Sequence, residues 1–253
     1  MKQEKHEELL REHQPEAIKK RLKRPSKSQN VSDAILGGID GCVTTFAVVS
    51  SVVGAGFPSS VALILGFANL LADGFSMAVS NYEAIKANIE FTAKIRRTEE
   101  EHIEKVPEGE REEIRQIFQK KGFTGETLER IIDTICKDKQ LWVETMLTEE
   151  HGIQKTALNP KKSALTTFLA FFLVGIIPLI PFLIPSLEMQ QQFILSSCLA
   201  GIMFFSIGAI KGLVFNKPIF TSGLSTLITG GTAAVLAFLA GYLLRNAFGI
   251  EGL

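Results

Sequence analysis

Cysteine and histidine are scarce in this 253-residue chain: three cysteines, at positions 42, 136 and 198, and four histidines. An odd number of widely spaced cysteines, two of them in apolar runs, builds neither a disulfide framework nor a zinc site, so free thiols are expected. The histidines form no cluster. No nucleophile stands beside a base, and no glycine loop suits a phosphate. An enzyme is therefore not expected, nor is a prosthetic group. The formal net charge is zero, which leaves no basic excess for a nucleic-acid partner. A secretory signal is missing as well, since the first apolar run follows a polar segment rather than a short basic one.

Charge is also missing from long internal stretches. Residues 34–80 carry only Asp40 and Asp73, and residues 163–249 only Glu188, Lys211, Lys217 and Arg245. Nearly uncharged apolar runs of about 18 residues or more are candidates to cross a bilayer. Five are expected: 31–54, 58–84, 163–184, 193–214 and 219–248. The link GAGFPSS joins the first two. No Gly or Pro interrupts residues 84–104, so the second span should continue as a helix beyond the lipid. Pro107 and Gly109 end it. Helices over 108–121, from Thr124 as N-cap, and over 139–151 should then build a small helical domain, with Thr127, Leu128, Ile131, Ile132 and Ile135 apolar-side residues of the middle one. Asn159-Pro160 marks the return to the membrane. The expected fold is an all-α membrane protein of five spans, with a three-helix domain inserted between spans 2 and 3. The divisions are a tail at 1–30, spans 1 and 2 at 31–87, the acidic helical domain at 88–160, and spans 3 to 5 at 161–253.

Basic residues choose the orientation. Lys19, Lys20, Arg21, Lys23, Arg24 and Lys27 of the tail lie on the same side as Lys161, Lys162, Lys211 and Lys217. The loops GAGFPSS and SLEMQQQ have neither Lys nor Arg. The tail, expected as an amphipathic helix or a mobile segment, and the inserted domain are thus expected to be cytoplasmic, with the C-terminus opposite.

What is present inside the apolar runs points to ions. An ionisable group at mid-bilayer costs roughly 2.5–3.5 kcal/mol on insertion scales and commonly marks an ion path. Asp33, Gly37, Asp40 and Thr44 follow helical spacing on span 1. Asn69, Asp73, Met77 and Asn81 are four apart on span 2. Carboxylates suit hard divalent cations and a thioether adds affinity for softer ones; carboxylates also carry protons. The plainer alternatives are that Asp40 caps a distorted helix beside Gly37, Gly38 and Gly41, that Asp73 bonds a neighbouring helix, and that Met77 only packs. Gly37/Gly41 and Gly208/Gly212 permit close helix approach, which fits a dimer or a tight pore.

The inserted domain begins TEEEHIEKVPEGEREEI, with eight glutamates between positions 99 and 113. Glu99 and His102 share a helix face, as do Glu110 and Glu113, and later Met146 and Glu150. Like charges at such spacing repel, and a bound cation would relieve them. A solvated acidic surface is the other reading.

The stretches GGIDGCVTTFAVVSSVVGAG and LGFANLLADGFSMAVSNYEA, the acidic insert, its end WVETMLTEEHGI, and GGTAAVLAFLAGYLL resemble the vacuolar iron transporter family over about residues 31–250. The resemblance implies a homodimer of five-span subunits that moves Fe2+ or Mn2+ out of the cytosol in exchange for protons. It implies Asp40 and Met77 as membrane metal ligands, and Glu99, Glu110, Glu113, Met146 and Glu150 as ligands of the cytoplasmic domain, which can hold other divalent metals too. His102 stands where a glutamate is usual, Leu147 where a second methionine can occur, and Asn81 where many members have a glutamate. Asp73 then becomes the candidate proton carrier, with Asn81 and Thr44 lining the path. Divalent metal ions, protons and the lipid bilayer are the expected partners. With no targeting signal or long eukaryotic extension, a prokaryotic plasma membrane is the expected location. A membrane-anchored metal sensor or storage docking protein is the competing function.

Overall fold

The computed structural model describes residue 6 and residues 9–22, 28–154 and 158–249. Lys23, Arg24 and Lys27 of the basic tail lie outside them, while α1 (Pro15–Leu22) carries Lys19, Lys20 and Arg21 in its last turn. The described residues are helical, without a strand. They form two compact units, residues 27–85 with 159–253 and residues 1–26 with 86–158.

The first unit holds α2 (Ser28–Ala55), the first part of α3 (Ser59–Lys105), α7 (Pro160–Gly175), a 3-10 segment (Ile177–Leu183), α8 (Met189–Val214) and α9 (Ile219–Phe248). Among the described residues, four helices are long and apolar enough to cross a membrane: Asn30–Ala55, Ser59–Lys105, Met189–Val214 and Ile219–Phe248. A fifth candidate is α7 with the 3-10 segment, bent by 42°. It matches the span expected over 163–184, and the bend falls just before Pro178 and Pro181. Neither has an N–H to continue the ladder, and polar side chains take up the freed carbonyls. Ser196 Oγ donates to Pro178 O (2.7 Å) and Gln192 Nε2 to Ile184 O (3.0 Å). Such internal satisfaction is required in an apolar medium.

Glycine sets the tightest contact. A Cβ at Gly37 or Gly41 would overlap the backbone carbonyl oxygen of Thr167 or Phe171, so α2 and α7 touch backbone to backbone. Gly208 meets Ser222 and Gly223 of α9 in the same way. The close helix approach expected from the spacing of these glycines is thus present within one chain. Cores of Val49, Leu70, Phe171 and Leu179, and of Cys42, Phe46 and Phe204, fill the space between helices. All three cysteines are free.

The second unit is built on the last part of α3 with α4 (Pro107–Lys120), α5 (Gly125–Cys136) and α6 (Lys139–Glu149). Pro107 sits in the first turn of α4, where its missing N–H costs nothing. Thr124 occupies the N-cap position of α5 in extended conformation, but its hydroxyl makes no capping bond, contrary to the cap expected of it. Asp138 does cap α6, accepting from Gln140 N (2.9 Å) and Leu141 N (3.2 Å). Apolar faces meet in a core of Ile103, Ile114, Leu128, Ile132, Ile135, Trp142, Val143, Met146 and Leu147.

Candidate functional site

The acidic residues of the second unit divide into two populations. Many on its surface are paired: Arg111 donates to Asp133 (2.5 Å), Arg115 to Glu129 (2.5 Å) and Lys121 to Glu149 (2.5 Å), while Lys105 meets Glu101 and Lys139 meets Glu104. The Lys105 ammonium beside Glu101 holds that carboxyl below its usual range. The second population has no lysine or arginine ion pair among the described residues. Glu99 and His102 project from one face of α3. The chain reverses at Val106-Pro107, and the first turn of α4 brings Glu110 back to them. His102 Nδ1 lies 3.3 Å from Glu110 Oε1. From the end of α6, Glu150 and His151 approach Glu99, with His151 Nε2 3.0 Å from Glu99 Oε1 and 3.5 Å from Glu150 Oε2.

Two sets of potential ligand atoms result, each within 4.8 Å of one another: Glu99, His102, Glu110 and Glu99, Glu150, His151. Glu99 belongs to both. It is only 3% exposed and Glu110 only 5%, although carboxylates are seldom so buried without a partner. One oxygen of each, Oε2, makes no hydrogen bond among the described residues. Burial foremost, then the charges of Glu113 and Glu99, pushes the Glu110 carboxyl up to about 7, with His102 acting the other way. Burial also raises Glu150, opposed by His151 and assisted by Glu113 and Glu99. The charges acting most on both are glutamates and two imidazoles, not lysine or arginine. Such a pocket has excess negative charge and free oxygen lone pairs, which a divalent cation would satisfy.

Among the candidates from the sequence, Glu99, His102, Glu110 and Glu150 converge here, with Glu113 close enough to act on Glu110 and Glu150 electrostatically. Met146 is fully buried in the apolar core beneath. His151 was not selected from the sequence, although the run Glu149-Glu150-His151 was a usable signal.

In the membrane-type unit the polar face of α3 divides its tasks. Asn69 Nδ2 donates to Thr44 Oγ1 (3.4 Å), and Thr44 Oγ1 to the Asp40 carbonyl (2.8 Å). Asn81 Nδ2 donates to Asp33 Oδ1 (3.2 Å) and Thr167 Oγ1 (2.8 Å), tying α3 to α2 and α7. Asp33, placed by its spacing on the polar face of span 1, is buried. Asp40 lies in mid-helix, which removes the capping role, and its side chain is half-buried within electrostatic range of Asp73. Asp73 itself is exposed on α3. Met77 is half-buried and packs on the core around Phe171 and Leu70.

The VIT family model matches residues 31–242. A protein of Toxoplasma gondii (strain ATCC 50861 / VEG) named vacuolar iron transporter is 30% identical over 233 residues, covering 88% of this chain and 77% of the relative. One of the same name from Centaurea cyanus is 31% identical over 215 residues, 83% and 86% of the two chains. Vacuolar iron transporter 1 of Oryza sativa subsp. japonica is 31% identical over 214 residues, 82% of each chain. With its four or five apolar helices, this chain is a multi-pass membrane protein, and it belongs to the VIT family.

Proposed function

We propose that the protein moves Fe2+ or Mn2+ out of the cytosol in exchange for protons, and that its acidic helical unit gathers the metal. The observation that carries the metal reading is the buried Glu99–Glu110 pair, which faces imidazoles and other glutamates instead of a lysine or arginine. Membership of the family whose relatives are named vacuolar iron transporters supports iron as cargo. In the membrane-type unit, Asp40 and Met77 are the proposed metal ligands and Asp73 the proposed proton carrier, with Thr44 and Asn81 beside the path.

A homodimer belongs to the same reading. Asp73, Ser76 and Ser80 are exposed on α3 next to Leu71, Phe75 and Val79. A carboxylate on a lipid-facing surface is costly; a second copy covering this face removes the cost. The excess of Lys and Arg on the tail and on the loops near Lys161 and Lys211 supports a cytoplasmic acidic unit. A prokaryotic plasma membrane is the proposed location.

Reconstitution tests the function. Proteoliposomes under an imposed pH gradient should accumulate Fe2+ or Mn2+ while the internal pH changes in the opposite sense to proton retention, and Asp40→Ala should remove the flux. Metal binding without flux in the wild type would favour the anchored sensor or storage protein and end the transport reading.

A further inference from the structure

We propose that His151 sets which divalent cation the acidic unit prefers, acting as a nitrogen ligand beside the carboxylates of Glu99 and Glu150. The proposal rests on the metal-gathering reading above and adds the class of cation: borderline metals such as Fe2+, Co2+ and Zn2+ over Mn2+, Ca2+ and Mg2+.

The position of His151 is fixed by the backbone. Gly152 takes a left-handed conformation (φ 67°) immediately after it. This lets the Ile153 N–H reach back to Leu147 O (2.8 Å), while the N–H groups of Glu150 and His151 both bond Met146 O (3.0 and 3.3 Å). A glycine of positive φ, which costs no side-chain strain, and an apolar anchor just beyond it end the helix here. The anchor is Ile153, which packs on the core of the unit. His151 is therefore held where α6 stops, with its side chain 28% exposed and open to an arriving ion.

Its surroundings are those of a ligand. Nε2 is 3.0 Å from Glu99 Oε1 and 3.5 Å from Glu150 Oε2, and all three ligand atoms lie within 4.8 Å of one another. The second oxygen of Glu99 is buried and accepts no hydrogen bond among the described residues, an independent sign that a cation belongs there. Lys121 is engaged by Glu149, the residue before Glu150.

Two carboxylates alone suit Mn2+ or Ca2+. Adding an imidazole raises affinity most for the metals later in the order Mn2+ < Fe2+ < Co2+ < Ni2+. The His151 imidazole thus acts on the ratio of affinities, not only on their sum.

The full-length protein in detergent, at one fixed neutral pH, tests this with Co2+ and Mn2+ as probes. His151→Gln should weaken Co2+ binding at least about tenfold, ~1.4 kcal/mol, and Mn2+ binding by much less. The Co2+ absorption bands should move to longer wavelength as a nitrogen donor is lost. His151→Glu should recover Mn2+ and not Co2+. Because the ratio is taken on one preparation, a general disturbance of the unit cancels. Equal weakening of both metals, or an unshifted Co2+ spectrum, would overturn the role of His151 and leave the transport reading standing. Wild-type protein that binds neither metal would overturn the metal-gathering reading, and this inference with it.

Discussion

The two units both carry carboxylates where such groups are expensive, and they accommodate them in opposite ways. In the acidic unit Glu99 and Glu110 are buried in a small polar pocket, and repulsion among glutamates is left standing. In the membrane-type unit the buried Asp33 is tied by Asn81, and Asp73 stays on an exposed helix face. The first arrangement holds repulsion that a bound cation would relieve, under the proposal above; the second leaves ionisable groups along a helix that a neighbour can cover. The difference teaches that burial by itself does not mark a metal site. What separates Glu110 from Asp33 is the company: other glutamates and the His102 imidazole around one, the Asn81 amide on the other.

The largest way to break the comparison is through packing. Gly41→Val places a side chain on the Phe171 carbonyl and should cost the membrane-type unit up to about 3 kcal/mol, as overpacking does. Thermal unfolding should shift downward while divalent-metal binding by the acidic unit is retained. An unchanged transition would show that the close approach of α2 and α7 carries little energy.

The next effect sharpens the electrostatic half. Glu110, raised from an ordinary 4.5 to about 7, favours the fold fully below pH 4.5 and loses that contribution as the pH rises through 7. Glu110→Gln should therefore stabilise the metal-free protein by on the order of 2 kcal/mol above pH 7 and hardly at all below 4.5. Denaturant titrations across this range, without metal, measure it. A wild type whose stability does not fall on approaching pH 7 from below would remove the strain assigned to the cluster.

A third effect tests the membrane acids. Asp73→Asn should slow metal flux about tenfold, ~1.4 kcal/mol in the barrier, and flatten its pH dependence. Undiminished flux with the wild-type pH profile would remove Asp73 as proton carrier. The smallest effect is that of Asn81→Ala. Losing the bonds to Asp33 and Thr167 should cost about 0.6 kcal/mol each, the scale of hydrogen bonds between membrane helices, visible as a modest drop in thermal stability.

Much of the helical order was legible in the sequence because it follows from local chemistry. The absence of Gly and Pro after residue 84 foretold a helix running to Lys105, and Pro107 its end. The spacing of Glu99 with His102 put both on one face before any partner was known. What escaped was non-local. The bend at Pro178 depends on Ser196 and Gln192 arriving from α8 to satisfy carbonyls. The partner of Gly41 is a backbone oxygen 130 residues away, at Phe171. His151 joins Glu99 across 52 positions because a glycine turn aims it there. No periodicity within one helix encodes these meetings.

The most direct measurement compares metal bound per chain with metal flux in the same preparations of wild type, Glu99→Gln and Asp40→Ala. Glu99→Gln should lose bound metal at low concentration and slow the flux there. Asp40→Ala should keep the metal of the acidic unit and lose the flux. Asp40→Ala vesicles that transport Fe2+ or Mn2+ at the wild-type rate, or Glu99→Gln protein that binds as the wild type does, would contradict the division of labour between the two units.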